Sequence, residues 1–292
     1  MNPGDDLPPA YSRFPEKEQS AGSRRSDVRT DTTPNSPLSP HAARPQTSFP
    51  SPPASATPHR FPVSWTLYKQ HGSPVKGVYY IAANDDNRGQ ALFAISQTPN
   101  PSAGQPNLTL HNGPSVDDAT LATGERHKTF TGGIHSVITL PGSGSGISPE
   151  EPLRTIVSWP HISYAFDVDV GTANPENLGR LRRETFEWRH SAGSAVGHLG
   201  AATSGWKLTR MSTEPAPGVG GDWPFTGGGE FSSDGREIVA VWANSVRSLG
   251  QDAVMKFRFL GTGASGVLGE RWATMAVLSA LRMWQQGEMA KR

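Results

Sequence analysis

Residues Gly269–Gln286, GERWATMAVLSALRMWQQ, are good helix formers with no proline and no glycine inside the run. Trp272, Met275, Leu278, Leu281 and Trp284 recur around the helical wheel, and Ala276, Val277, Ala280 and Met283 fill the remaining directions. A helix that is apolar on every side is enclosed by protein or spans a membrane. The uncharged stretch reaches only from Trp272 to Leu281, between Arg271 and Arg282, whereas a span needs about 20 apolar residues. The segment therefore predicts a helix over about 269–286, buried inside protein. Eighteen helical residues rise about 27 Å, and an eight-residue strand spans about 26 Å. A helix of this length can thread a closed sheet from end to end. Eight strands leave an interior wide enough only for side chains, so the sheet must be larger.

The text before this helix reads as strands. In Ser163–Val170, Tyr164, Phe166, Val168 and Val170 share one face and Asp167 and Asp169 the other. In Arg182–His190, Phe186 and Trp188 oppose Arg183, Thr185, Glu187 and Arg189; in Val254–Leu260, Met255, Phe257 and Phe259 oppose Lys256 and Arg258. Such alternation marks half-buried antiparallel strands. Ten to twelve apolar runs between residues 78 and 260 are bounded by Gly, Pro, Asn or Asp. Residues 229–232 and 237–243 flank Asp234-Gly235, a short-hairpin signal. Pro141–Pro152 and Ser212–Gly229 read as long Gly/Pro-rich loops. The expected fold is mainly β: a closed antiparallel barrel of about twelve strands around a buried C-terminal helix. A β-sandwich capped by that helix is the alternative, and it requires a wet helix face.

The barrel occupies only part of the chain. Thirteen of the 26 prolines lie in residues 1–62, with dense Ser and Thr and few large apolar residues. Such a segment cannot bury enough surface to offset its ordering entropy. Residues 1–60 are expected to be a disordered tail and residues 61–292 the folded domain. Pro8-Pro9-Ala10-Tyr11 matches PPxY, a polyproline-type ligand of WW domains; chance in a Pro-rich region is the competing account. Five Ser-Pro or Thr-Pro pairs between residues 33 and 58 are candidate phosphorylation sites.

Other function classes narrow quickly. Zero cysteines exclude disulfides, thiolate metal sites and S-acylation. A net charge of +1 gives no global attraction to nucleic acid. No HxH, HExxH, GxSxG or phosphate-binding glycine loop occurs. Asp167 and Asp169 share a strand face, but the continuation DVDVGTANPEN fails the EF-hand pattern. No catalytic residue, metal site or cofactor is assigned. The first ten residues show neither a basic nor an apolar signal region, and the expected location is cytoplasmic, peripheral at membranes at most.

The strand succession, the pair FEWRHS and GWKLTRM, and the ending FRFLGTGASGVLGERWATMAVLSALRMW resemble the tubby C-terminal-like superfamily. This includes tubby proteins, phospholipid scramblases and LURP-one-related proteins, and the closest likeness is to fungal-type members with a Pro-rich tail. The resemblance covers roughly Phe61 to Gln286. It implies a barrel around a central helix and a lipid- or protein-binding role rather than catalysis. Scramblases carry a cysteine-rich segment and an acidic calcium loop; this chain has no cysteine, and Gly261–Gly269 holds no carboxylate. The PPxY motif resembles those taken by WW domains of HECT-type ubiquitin ligases.

Arg180, Arg182, Arg183, Arg189, Lys207 and Arg210 form the densest basic cluster. If their strands pair, they build a candidate surface for anionic phospholipid, each cation contributing about 1 kcal/mol. Glu184 and Glu187 dilute it, and a solvated face of cross-strand ion pairs is the competing account. The expected function is a non-enzymatic binding or adaptor protein. The alternatives are a scramblase-like membrane protein or an enzyme of an unrecognised barrel class.

Overall fold

Alternating apolar residues become inward-facing rows in the computed structural model, which describes residues 60–71, 77–83, 90–102, 104–128, 134–142, 149–171, 181–217, 231–246 and 252–291. The twelve strands are β1 Ser64–Lys69, β2 Val78–Ala82, β3 Phe93–Gln97, β4 Leu108–His111, β5 Thr120–Lys128, β6 Ile134–Thr139, β7 Glu150–Ser158, β8 His161–Val170, β9 Arg182–Ser191, β10 Gly205–Arg210, β11 Ile238–Asn244 and β12 Ala253–Phe259. Each strand pairs antiparallel with its neighbours in sequence, and β12 closes on β1. The barrel lies within the compact unit Pro50–Arg292. Along β12 the alternation is complete, with Met255, Phe257 and Phe259 buried between half-exposed neighbours. Trp65 of β1 sits opposite Phe257 and stacks on it at 4.6 Å.

The strands differ from the reading above at three places. The apolar runs counted there begin at residue 78, whereas SWTLYK already forms β1, the closing strand. Of the expected run 229–232 only Phe231 and Ser232 are described, and Phe231 makes a single bridge to Glu237 across the turn at Gly235. The predicted loop Pro141–Pro152 also ends early, because Glu150, Glu151 and Pro152 already pair with β6.

Two short helices accompany the long one. Helix α1, Ser194–Gly197, lays Ala195 and Val196 over Ile238, Val241 and Ala243, covering the outer face of β11. Helix α2, Gly261–Ser265, turns the chain out of β12. Helix α3, Gly269–Ala290, is the predicted C-terminal helix, one turn longer than expected. Gly269 opens α3 at φ +86°, and a Cβ there would lie 2.1 Å from the Gly171 carbonyl oxygen. Only glycine meets both demands, which explains a helix starting on this residue.

Every residue of α3 from Trp272 to Gln285 is buried. Its side chains touch strands around the ring: Trp272 packs on Phe186 and Phe259, Trp284 on Tyr79, Ser279 accepts from Trp188, and Arg282 donates to Ser136. The helix is thus inside the barrel, with Trp272, Met275, Leu278, Leu281 and Trp284 at 5% exposure or less. The dimensions close. Twelve strands about 4.8 Å apart and tilted about 40° make a ring of radius about 12 Å. A helix with its side chains takes about 5–6 Å of that, and strand side chains about 5 Å.

Arg282, which ends the uncharged run, is enclosed with the rest at 1% exposure. Its Nε donates to Ser136 Oγ at 3.0 Å and its Nη1 to Gln285 Oε1. Burial, with Arg126 nearby, draws its pKa down to about 10. Among the described residues no carboxylate pairs with it, so its desolvation is not offset by an ion pair. Arg282→Met, similar in volume, is expected to leave stability within about 1.5 kcal/mol of the parent. Urea unfolding checks this; a loss several times larger would mean that the hydrogen bonds outweigh the desolvation.

Candidate functional surface of the barrel

The interior is filled by α3, so the groups open to chemistry lie on the outer face and at the ends. The expected cluster falls on β9 and β10, which do pair, with Arg189 opposite Lys207. Its members do not form one surface. Arg183 reaches Glu151 at 2.6 Å and Asp169 at 3.5 Å. Arg182 pairs with Glu184 and, at 2.6 Å, with Glu214. Arg189 pairs with Glu187 at 2.8 Å and Asp234 at 2.7 Å. Lys207 alone among these described cations makes no ion pair among the described residues. Arg180 lies outside the described residues, as do Pro8, Pro9 and Tyr11.

Arg210 is a correction. It is fully buried, with Nε 2.6 Å and Nη2 2.8 Å from the Glu184 carboxylate. Residues three apart on a strand face opposite sides, so Lys207 outside places Arg210 inside. Glu184, on the same inward row as Phe186, is its buried counter-ion. Beside them, Glu237 accepts from the backbone and hydroxyl of Thr262 at 2.7 and 2.9 Å. Burial pushes the Glu237 carboxyl up, against the pull of those bonds and of Arg210.

Asp167 and Asp169 are outward, as expected, and are neutralised. Arg154 and the Thr185 hydroxyl bind Asp167, whose pKa is lowered chiefly by the Arg154 hydrogen bond. Asp234, in the β10–β11 connection, is drawn down to about 2 by its hydrogen bonds from Arg189 and Ser232. No group of three His, Asp or Glu residues that could hold a metal occurs among the described residues. The outer face of β7–β10 is therefore a lattice of paired charges, worth little individually at an exposed surface.

A second feature is apolar. Strands β7 and β8 form a hairpin whose ladder runs out to Ser158 opposite His161. Near its tip, Ile156 is 42%, Val157 70%, Trp159 91% and Ile162 49% exposed. The strand reading found both strands but not this exposure. The signal was present: Ile156 and Val157 are consecutive, and adjacent strand residues face opposite sides, so one of them must point outward.

No described helix is long and apolar enough to cross a membrane. Comparison with protein-family models, with curated proteins and with solved structures finds no match for this chain.

Proposed function

We propose that the protein is a non-catalytic binding protein, with the barrel as a rigid platform and the Pro-rich N-terminal segment as an adaptor for WW-domain proteins. The observation that carries this reading is the occupation of the barrel interior by α3, buried from Trp272 to Gln285. A barrel filled by its own helix leaves recognition to its exterior and to the segment before it. Kinship with the tubby C-terminal-like proteins belongs to the same proposal, supported by a ring of twelve strands around a C-terminal apolar helix. So does a cytoplasmic location, where Pro8, Pro9 and Tyr11 would meet HECT-type ubiquitin ligases.

The PPxY core is pre-extended by its prolines, and the Tyr11 ring supplies the largest apolar contact to an aromatic groove. Tyr11→Ala in the full chain is expected to lower capture by an immobilised WW domain about tenfold or more. Unchanged capture would remove the adaptor half of the proposal and leave the barrel half standing.

A further inference from the structure

Seven large apolar side chains are exposed among the described residues, and four of them fall within seven consecutive positions, Ile156 to Ile162. Scattered exposed apolar residues are ordinary; a cluster at one projecting point is not. Val157 pairs with Ile162 across the hairpin, and Trp159 stands in the turn beyond them. Val157 and Ile162 share one face at the end of the two-stranded ribbon and Ile156 lies on the other, so the tip is apolar on both sides.

We propose that the tip of the β7–β8 hairpin enters the interfacial layer of a phospholipid bilayer, with Trp159 as its anchor and Val157 and Ile162 behind it. This rests on the reading of the barrel as a binding platform. Three observations favour a bilayer over a protein. First, the ladder between the two strands runs out to Ser158 and His161, so only the outer-edge N–H and C=O groups beyond Leu153 and before Ser163 lack a ladder partner among the described residues, and the headgroup layer supplies partners for them at shallow depth. Second, the twelve residues from Thr155 to Phe166 contain no Asp or Glu. An anionic headgroup layer therefore meets no carboxylate on the entering hairpin, and Lys207, which makes no ion pair among the described residues, adds a cation on the same sheet. Third, the cap is small. A stable protein interface needs about 800 Å² on each partner, and a tryptophan supplies about 150–250 Å². Four side chains on a convex tip fall short of that, whereas a bilayer requires no complementary shape. The indole suits this depth, since its ring is apolar and its N–H finds partners among headgroups. Ser158 and His161 keep the penetration shallow.

The test is flotation of the full chain with phosphatidylcholine vesicles and with phosphatidylcholine–phosphatidylserine vesicles. It compares the parent, Trp159→Ser with Val157→Ser, and Tyr11→Ala. The parent and Tyr11→Ala are expected to float alike, and the hairpin variant to lose about tenfold or more in partitioning on both lipids. Both hairpin substitutions are at exposed positions, and an unchanged unfolding midpoint verifies that the barrel is intact. Three results would overturn the proposal. One is a parent unbound with both lipids, which would assign the hairpin to a protein or a second copy. Another is a hairpin variant that binds like the parent. The third is binding that requires phosphatidylserine and ignores the hairpin, which would mean adsorption through Lys207 and its neighbours. Loss of WW capture by Tyr11→Ala bears on the adaptor alone.

Discussion

Arg210→Met is expected to lower the stability of the barrel by about 3–5 kcal/mol. For a domain of this size that moves the unfolding midpoint down by roughly 10 °C. The guanidinium is at zero exposure, bound through two nitrogens to Glu184, and its Nη1 is 3.9 Å from Glu237. Met fills the volume but leaves two buried carboxylates behind. Among the described residues, Glu184 keeps only Arg182 and Glu237 only Thr262. The deficit comes from stranded charge rather than from a lost contact, and this gives it a pH signature. Burial already holds the Glu237 carboxyl above its unfolded value, and the variant loses the Arg210 pull that opposes this, so the folded variant takes up a proton there more readily than the unfolded chain. The deficit is therefore greatest near neutral pH and above, and narrows as pH falls through that raised value. Urea unfolding of parent and variant across that range measures it. Adding Glu184→Met removes one stranded carboxylate and should recover part of the loss. A single variant within about 1 kcal/mol of the parent would show that the pair contributes no more than a surface bridge. The contrast with Arg282→Met is the point: two buried arginines, one answering carboxylates and one answering neutral oxygens, predict opposite costs for the same substitution.

Trp272→Ala is expected to cost about 3–5 kcal/mol, with an unchanged denaturant slope. Trp272 is at zero exposure near the start of α3, with Phe186 and Phe259 each 5.7 Å away between ring centres. The backbone leaves no slack to close the space. A Cβ on Gly263 would lie 2.6 Å from the Trp272 ring and 2.3 Å from the Val239 carbonyl oxygen, so α2 already abuts both. Trp272→Phe should cost much less. Its indole N–H has no hydrogen-bond partner among the described residues, so Phe gives up ring area but no polar contact there. Trp188 differs, because its Nε1 donates to Ser279 at 2.9 Å and anchors the middle of α3 to β9. Equilibrium unfolding of both Trp272 variants checks the order. An Ala variant as stable as the parent would mean that the first turn of α3 is not enclosed.

The parts legible in the sequence are those set by neighbours along the chain. Apolarity on every side of residues 272–284 is a local property, and so is period-2 alternation in β8, β9 and β12. Together with the lengths they specify a helix that needs a sheet around it and a sheet large enough to supply one. The ring's closure was less legible. β1 is a short run whose role depends on meeting β12, almost two hundred residues away. Before Asp234, Phe231 joins the sheet through one bridge to Glu237, a partner its own text does not name.

Side-chain roles divide in the same way. Parity alone puts Lys207 and Arg210 on opposite faces of β10, and that much could be read from their spacing. That Arg210 meets Glu184 depends on the β9–β10 register; that Arg282 meets Ser136 depends on how far α3 slides into the barrel. That Arg183 is spent on Glu151 depends on the order β7–β8–β9. The paired charges of the outer face and the bare apolar tip at Trp159 are facts of this kind. Periodicity states which way a side chain points relative to its own strand, because that is fixed by the geometry of one backbone. What it points at is decided by residues far along the chain, brought near only when the ring closes, and so it is settled by the tertiary structure.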